Sequence, residues 1–182
     1  MKKFLISLIY LISFAFSEML YVIDDNTEVF DSNGKNEIGI AFRGMGGEKI
    51  KELGDKTILR FQGFIKKNDP LTLYATKDMS MPLIAFHQDN NSSTIEVAIS
   101  KQKLSQDLNN IWSETKKIYY NKCSICHMAI SPKDYSVLEW KSIFNTMKEF
   151  TVFDDLESRQ VLDYLKFNAS DGYLSNPKKD TK

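Results

Sequence analysis

The sequence predicts an α+β chain in which a small β-rich half, residues 18–101, precedes a small all-α half, residues 102–172. Three observations carry this prediction. Short stretches that partly alternate apolar with polar residues fill positions 20 to 100, separated by turns rich in Gly, Asn and Pro. From residue 104 onward, apolar residues instead recur every three or four positions. Further on, Ser136 and Asp154 stand where helix N-caps belong.

In order along the chain, Thr57 to Phe61 and Leu71 to Ala75 read as strands, and Thr94 to Ile99 places Ile95, Val97 and Ile99 on one face. The turns between them are Asp31-Ser32-Asn33-Gly34, Gly44-Met45-Gly46-Gly47, Asn68-Asp69-Pro70 and Asp89-Asn90-Asn91-Ser92. Many short strands in this length favour an antiparallel barrel or sandwich, an SH3-like barrel among the candidates. A first helix follows from the spacing of Leu104, Leu108, Ile111, Trp112, Ile118 and Tyr119. Ser136-Val137-Leu138-Glu139 is a capping-box pattern, and the helix it opens carries Trp140, Ile143, Phe144 and Met147 along one face. Asp154 caps a third helix with Val161, Leu162 and Leu165 as its apolar positions. Gly172 and Pro177 mark its end, and residues 173–182 form a polar tail.

The formal net charge is zero, so neither a basic balance pointing to nucleic acid nor an acidic solvating excess is present. Lys2 and Lys3 precede the apolar run Phe4 to Phe16, and Ala15-Phe16-Ser17 offers small residues where a signal peptidase cuts. Residues 1–17 are therefore expected to be an export signal cleaved after Ser17, with an uncleaved anchor as the rival. The run is shorter than the roughly 20 residues that span a bilayer. The expectation is a periplasmic protein with no stable membrane insertion after cleavage.

The chain has two cysteines, three residues apart, which cannot staple distant segments. Cys123-Ser124-Ile125-Cys126-His127 instead has the C-x-x-C-H pattern of c-type haem attachment. Two thiols at that spacing match the vinyl groups on one porphyrin edge, and the following imidazole falls under the iron. A redox dithiol would want a βαβ context, and a structural zinc would want further Cys or His ligands nearby. The helical half is thus expected to be a cytochrome c-like domain holding one covalent haem c, with His127 as proximal iron ligand. Tyr119 and Trp140 are expected to bind the macrocycle, together with Tyr120 and Phe144. A porphyrin would replace much of the core that about 70 residues cannot build alone. Met147 is the expected distal ligand and His87 its rival, while an open iron stays a third choice. Lys116, Lys117 and Lys122 are either a docking face for an acidic partner or a solvated helix face.

The stretch Tyr119 to His127, then Pro132, Tyr135, Trp140 and Met147, then Val161-Leu162-Asp163-Tyr164-Leu165 before Asn168-Ala169, resembles the C-terminal haem domain of the TorC family. These are multihaem cytochromes that supply electrons to trimethylamine N-oxide reductase. Upstream, Leu20-Tyr21-Val22, Glu28-Val29-Phe30, Phe61-Gln62-Gly63-Phe64 and Leu73-Tyr74-Ala75 extend the likeness over nearly all of the mature chain. The chain departs from the family in carrying one C-x-x-C-H and no membrane-anchored multihaem module. The resemblance therefore implies a soluble electron-transfer protein rather than an enzyme. Its donor would be an upstream quinol-oxidising cytochrome, and its acceptor a periplasmic molybdenum reductase of N-oxides or S-oxides. Two other classes stand beside it: a haem-based ligand sensor or peroxidase-like enzyme, and a partner-binding module with haem as a structural staple.

Overall fold

A computed structural model describes residues 18–175; the expected export signal at 1–17 and the tail from 176 to 182 lie outside the described residues. Among the described residues ten strands form one sheet, with all pairs antiparallel, in the order β10-β1-β4-β5-β9-β2-β3-β8-β7-β6. They are β1 (Met19–Val22), β2 (Thr27–Phe30), β3 (Glu37–Ala41), β4 (Gly46–Leu53), β5 (Lys56–Gln62), β6 (Phe64–Lys66), β7 (Asp69–Tyr74), β8 (Pro82–Phe86), β9 (Thr94–Ser100) and β10 (Leu104–Ser105). The three strands anticipated from alternation are β5, β7 and β9.

The β5–β9 ladder shows how alternation becomes packing. Leu59 opposite Val97 and Thr57 opposite Ile99 are buried, while Arg60 opposite Glu96 faces solvent and forms an ion pair at 2.8 Å. Ile58 and Ala98 lie on the outer face yet are also buried. Gly34, at φ +71°, packs there against Leu53 and Ala98.

Three helices follow: α1 (Leu108–Cys123), α2 (Val137–Met147) and α3 (Asp155–Asn168). Each starts at a side-chain cap. Asp107 accepts from the Asn110 N–H at 3.1 Å, and Ser136 with Glu139 and Asp154 with Glu157 form complete capping boxes. α1 begins four residues later than its apolar spacing suggests. Leu104 belongs instead to β10, opposite Val22 of β1, because the first competent cap is Asp107.

The expected fold class needs a larger correction. The helices do not form an all-α cytochrome c-like domain of their own; they are three short helices packed on a ten-stranded sheet. Ile111, Trp112, Trp140 and Leu165 belong to the same buried cluster as Val22, Met45 and Phe61. The seam is the loop between β3 and β4. Arg43 Nη2 donates to the Ile111 carbonyl at 2.6 Å, with its guanidinium over the Trp112 ring at 5.1 Å. Gly44, at φ +79°, lies so close that an added Cβ would sit 2.8 Å from both Trp112 and Phe167. Tyr173, at the start of the expected polar tail, accepts a bond from the Gly46 N–H at 3.1 Å. The 3.6-residue period gives the apolar face of a helix but not what that face packs against, and here part of it meets the sheet.

Candidate functional site

α1 ends on the C-x-x-C-H motif. The helix closes where the Ser124 N–H donates to the Tyr120 carbonyl at 3.2 Å, leaving Cys123 in its last turn and Cys126 and His127 on the turn that follows. Both thiols are free; Cys123 is half-buried, and burial pushes its pKa above the usual thiol value. His127 is exposed, and its Nδ1 lies 2.9 Å from the Met128 carbonyl oxygen. A carbonyl only accepts, so this bond places the proton on Nδ1 and leaves the Nε2 lone pair available.

The motif forms one wall of a cavity of about 340 Å³, inside the size range of small-molecule sites. Cys123, Cys126 and His127 line it together with Tyr119, Trp140 and Met147. The polar ends of the two aromatic residues are occupied elsewhere. Tyr119 donates its hydroxyl to the Ile130 carbonyl at 2.6 Å, and Trp140 Nε1 donates to the Pro132 carbonyl at 2.7 Å. Both acceptors follow closely on His127, Ile130 in a coil segment and Pro132 at the start of a 3-10 turn, so these bonds also position the motif. Burial raises the Tyr119 pKa far above that of an ordinary phenol, which keeps this hydroxyl a donor. What faces the cavity is largely hydrocarbon.

The rim is apolar and open to solvent. Ile125, Phe150 and Val152 are 79%, 75% and 91% exposed, and Met147 is 39% exposed. A concentration of exposed apolar side chains around a concave site marks a place for an apolar occupant. The donor set fits a haem: two free thiols, an imidazole with a free Nε2 and a thioether line one apolar cavity. Among the described residues no group of three or more His, Cys, Asp and Glu gathers as a metal site, so the zinc alternative gains nothing.

Cys123, Cys126, His127, Tyr119, Trp140 and Met147 are therefore brought together, as is Phe144. Tyr120 is not in the lining; its ring packs edge-on against Tyr119 at 5.0 Å and borders a groove on another side of α1. His87 follows β8, where its Nε2 lies 3.0 Å from Glu37, and it is absent from the lining. Met128 is 89% exposed and also lies outside it. Sequence reasoning missed Phe150 and Val152, which sit between α2 and α3. Their only signal is apolar side chains in a segment with neither helix nor strand periodicity.

Among proteins of known name, the chain is similar to cytochromes. It is 31% identical over 78 residues to the cytochrome c-type protein TorY of Haemophilus influenzae, a match covering 43% of this chain and 21% of that protein. It is 33% identical over 86 residues to the cytochrome c-type protein TorC of Escherichia coli, in strain K12 and in O157:H7, covering 46% of this chain and 22% of TorC. The chain thus spans about a fifth of the length of the curated relatives it matches. The resemblance to TorC read from the residues is borne out over that stretch. No family model and no solved structure matches.

Proposed function

We propose that this chain is a c-type cytochrome that carries single electrons to a terminal reductase outside the cytoplasm. The observation that carries the reading is the cavity. It gathers two thiols and an imidazole within an apolar lining, and its exposed rim leaves surface for a large flat occupant to cover. The similarity to TorC and TorY, both named cytochrome c-type proteins, supports the same reading.

In this reading Cys123 and Cys126 would hold one haem through thioether bonds, and His127 would ligate the iron through Nε2 while Nδ1–H stays bound to the Met128 carbonyl. That backbone bond fixes the tautomer and the ring plane. Met147 would supply a second iron ligand, and Tyr119 and Trp140 hold the apolar wall, with their polar ends tied back to Ile130 and Pro132. A haem bound there supplies a one-electron couple between ferrous and ferric iron, whose potential follows axial ligation, burial and hydrogen bonding. The residues named here bind, orient and exclude water, and none acts as a general acid or base.

We assign the periplasm as the compartment, on the N-terminal pattern of two lysines and an apolar run. Among the described residues no helix is long and apolar enough to cross a membrane. The donor would be a quinol-oxidising cytochrome and the acceptor a molybdenum reductase of N-oxides or S-oxides. Optical spectroscopy of the exported protein tests the ligand set. A Met-to-iron charge-transfer band in the near infrared, lost in Met147→Ala, is expected. High-spin iron in the parent would reject the Met147 assignment and favour ligand binding or peroxidase chemistry over electron carriage.

A further inference from the structure

Lys122 immediately precedes Cys123 and lines the cavity. Its Nζ donates to the Val152 carbonyl at 2.8 Å, pairs with the Glu157 carboxylate, and lies 5.3 Å from the centre of the Phe153 ring. Glu157 also accepts from the Asp154 N–H at 3.1 Å, inside the capping box of α3. One ammonium therefore ties the last turn of α1 to the start of α3 and to the segment between α2 and α3.

The bonds that this segment makes within itself are local. It begins directly after Met147 with a single 3-10 turn, Lys148–Phe150, and Thr151 returns both its N–H and its hydroxyl to the Lys148 carbonyl at 3.1 Å. These bonds are local and set no position relative to α1. Phe153 stacks on Phe144 of α2 at 5.7 Å, which anchors the far end to α2. Phe150 and Val152 point to the rim rather than to the core, being 75% and 91% exposed. The bond from Lys122 to the Val152 carbonyl thus joins two lining residues of the cavity, one beside the motif and one in the segment that follows Met147.

We propose that Lys122 is a positioning residue for the cofactor cavity: held by Glu157, its ammonium fixes the 148–153 wall and keeps Met147 within reach of the iron. This rests on the haem reading given above. Lys122 touches neither the iron nor a reacting atom in this role; it acts through Met147. The expected docking use of Lys116, Lys117 and Lys122 as one group is not compatible with it, because Lys122 is committed to internal partners.

The test uses the full-length exported protein with Lys122→Ala, Lys122→Arg and Glu157→Gln, read by amide hydrogen exchange over residues 150–153 and by imidazole titration of the near-infrared band. Lys122→Ala is expected to speed exchange there, and to lower the imidazole concentration that abolishes the band, each by about tenfold, the size of one lost charge-assisted hydrogen bond. Lys122→Arg should restore both to near the parent, since a guanidinium can serve both acceptors. Glu157→Gln should fall between, and it carries the test if Lys122→Ala does not fold. Parent-like exchange and titration in Lys122→Ala overturn the proposal. So does fast exchange without any change in the titration, which would leave Lys122 a merely structural tie. If the parent lacks the band, the Met147 assignment fails first, and the role of Lys122 in placing Met147 falls with it whatever the exchange shows.

Discussion

At the scale of single residues, the candidate site is built from rare residue types. Two cysteines and two histidines in 182 residues, with three of the four inside C-x-x-C-H, leave few readings. Trp140 and Tyr119 were legible as apolar neighbours of the motif, but their hydrogen bonds to Pro132 and Ile130 were not. Those bonds depend on a coil and 3-10 segment whose path no periodicity encodes. They lead to a prediction. Trp140 is only 2% exposed, so Trp140→Phe opens a buried void and leaves the Pro132 carbonyl unpaired, and it should destabilise the protein by about 2–4 kcal/mol. Tyr119→Phe removes one hydrogen bond without a comparable void and should cost about 1 kcal/mol. Urea midpoints at constant slope measure both, and equal losses would contradict the account. Phe150 and Val152 stayed hidden for the reverse reason: an exposed apolar side chain in a loop is common and by itself signals nothing.

At the scale of elements, the helix starts were the most readable feature, since a cap is a local event between residues three apart. Ser136 with Glu139, and Asp154, open α2 and α3 as the sequence indicates. Ser136→Ala should destabilise by about 1 kcal/mol and lower the thermal midpoint by a few degrees. The capping boxes also set an acid dependence. Hydrogen bonds from the Ser136 backbone and then its side chain hold the Glu139 carboxyl below the ordinary glutamate value of 4.5. Lys122, followed by the Asp154 N–H, does the same for Glu157. With folded pKa values below unfolded ones, both contributions are present above about pH 4.5 and are lost as pH falls below it through the folded values. Helical circular dichroism should therefore resist urea less well on acidification below that point, and Glu139→Gln should flatten part of the fall. A urea midpoint that rises on acidification would contradict the sign. The start of α1 was misplaced because Leu104 and Leu108 share helical spacing, whereas a strand partner such as Val22 lies far away in sequence.

At the scale of the whole molecule, the sequence suggested two small halves, and the structure joins them through one core. The change in texture near residue 102 is real, but texture records local periodicity, whereas the seam is built from long-range contacts at Arg43, Gly44 and Tyr173. Gly44→Ala should be costly on two counts, a left-handed backbone at φ +79° and a Cβ driven against Trp112 and Phe167. The expected loss is about 2–4 kcal/mol. Because the core is shared, sheet and helix signals should unfold in one coincident transition in the parent and in the variant. Two separated transitions would restore the picture of independent halves.

Intact mass and haem staining of the exported protein after denaturation ask whether Cys123 and Cys126 hold a haem covalently in the cavity they line, with Cys123→Ala/Cys126→Ala as the control. The parent is expected to retain one haem on the denatured chain, and the double variant none. A parent chain at its unmodified mass, produced in a host that matures other c-type cytochromes, would rule out covalent attachment.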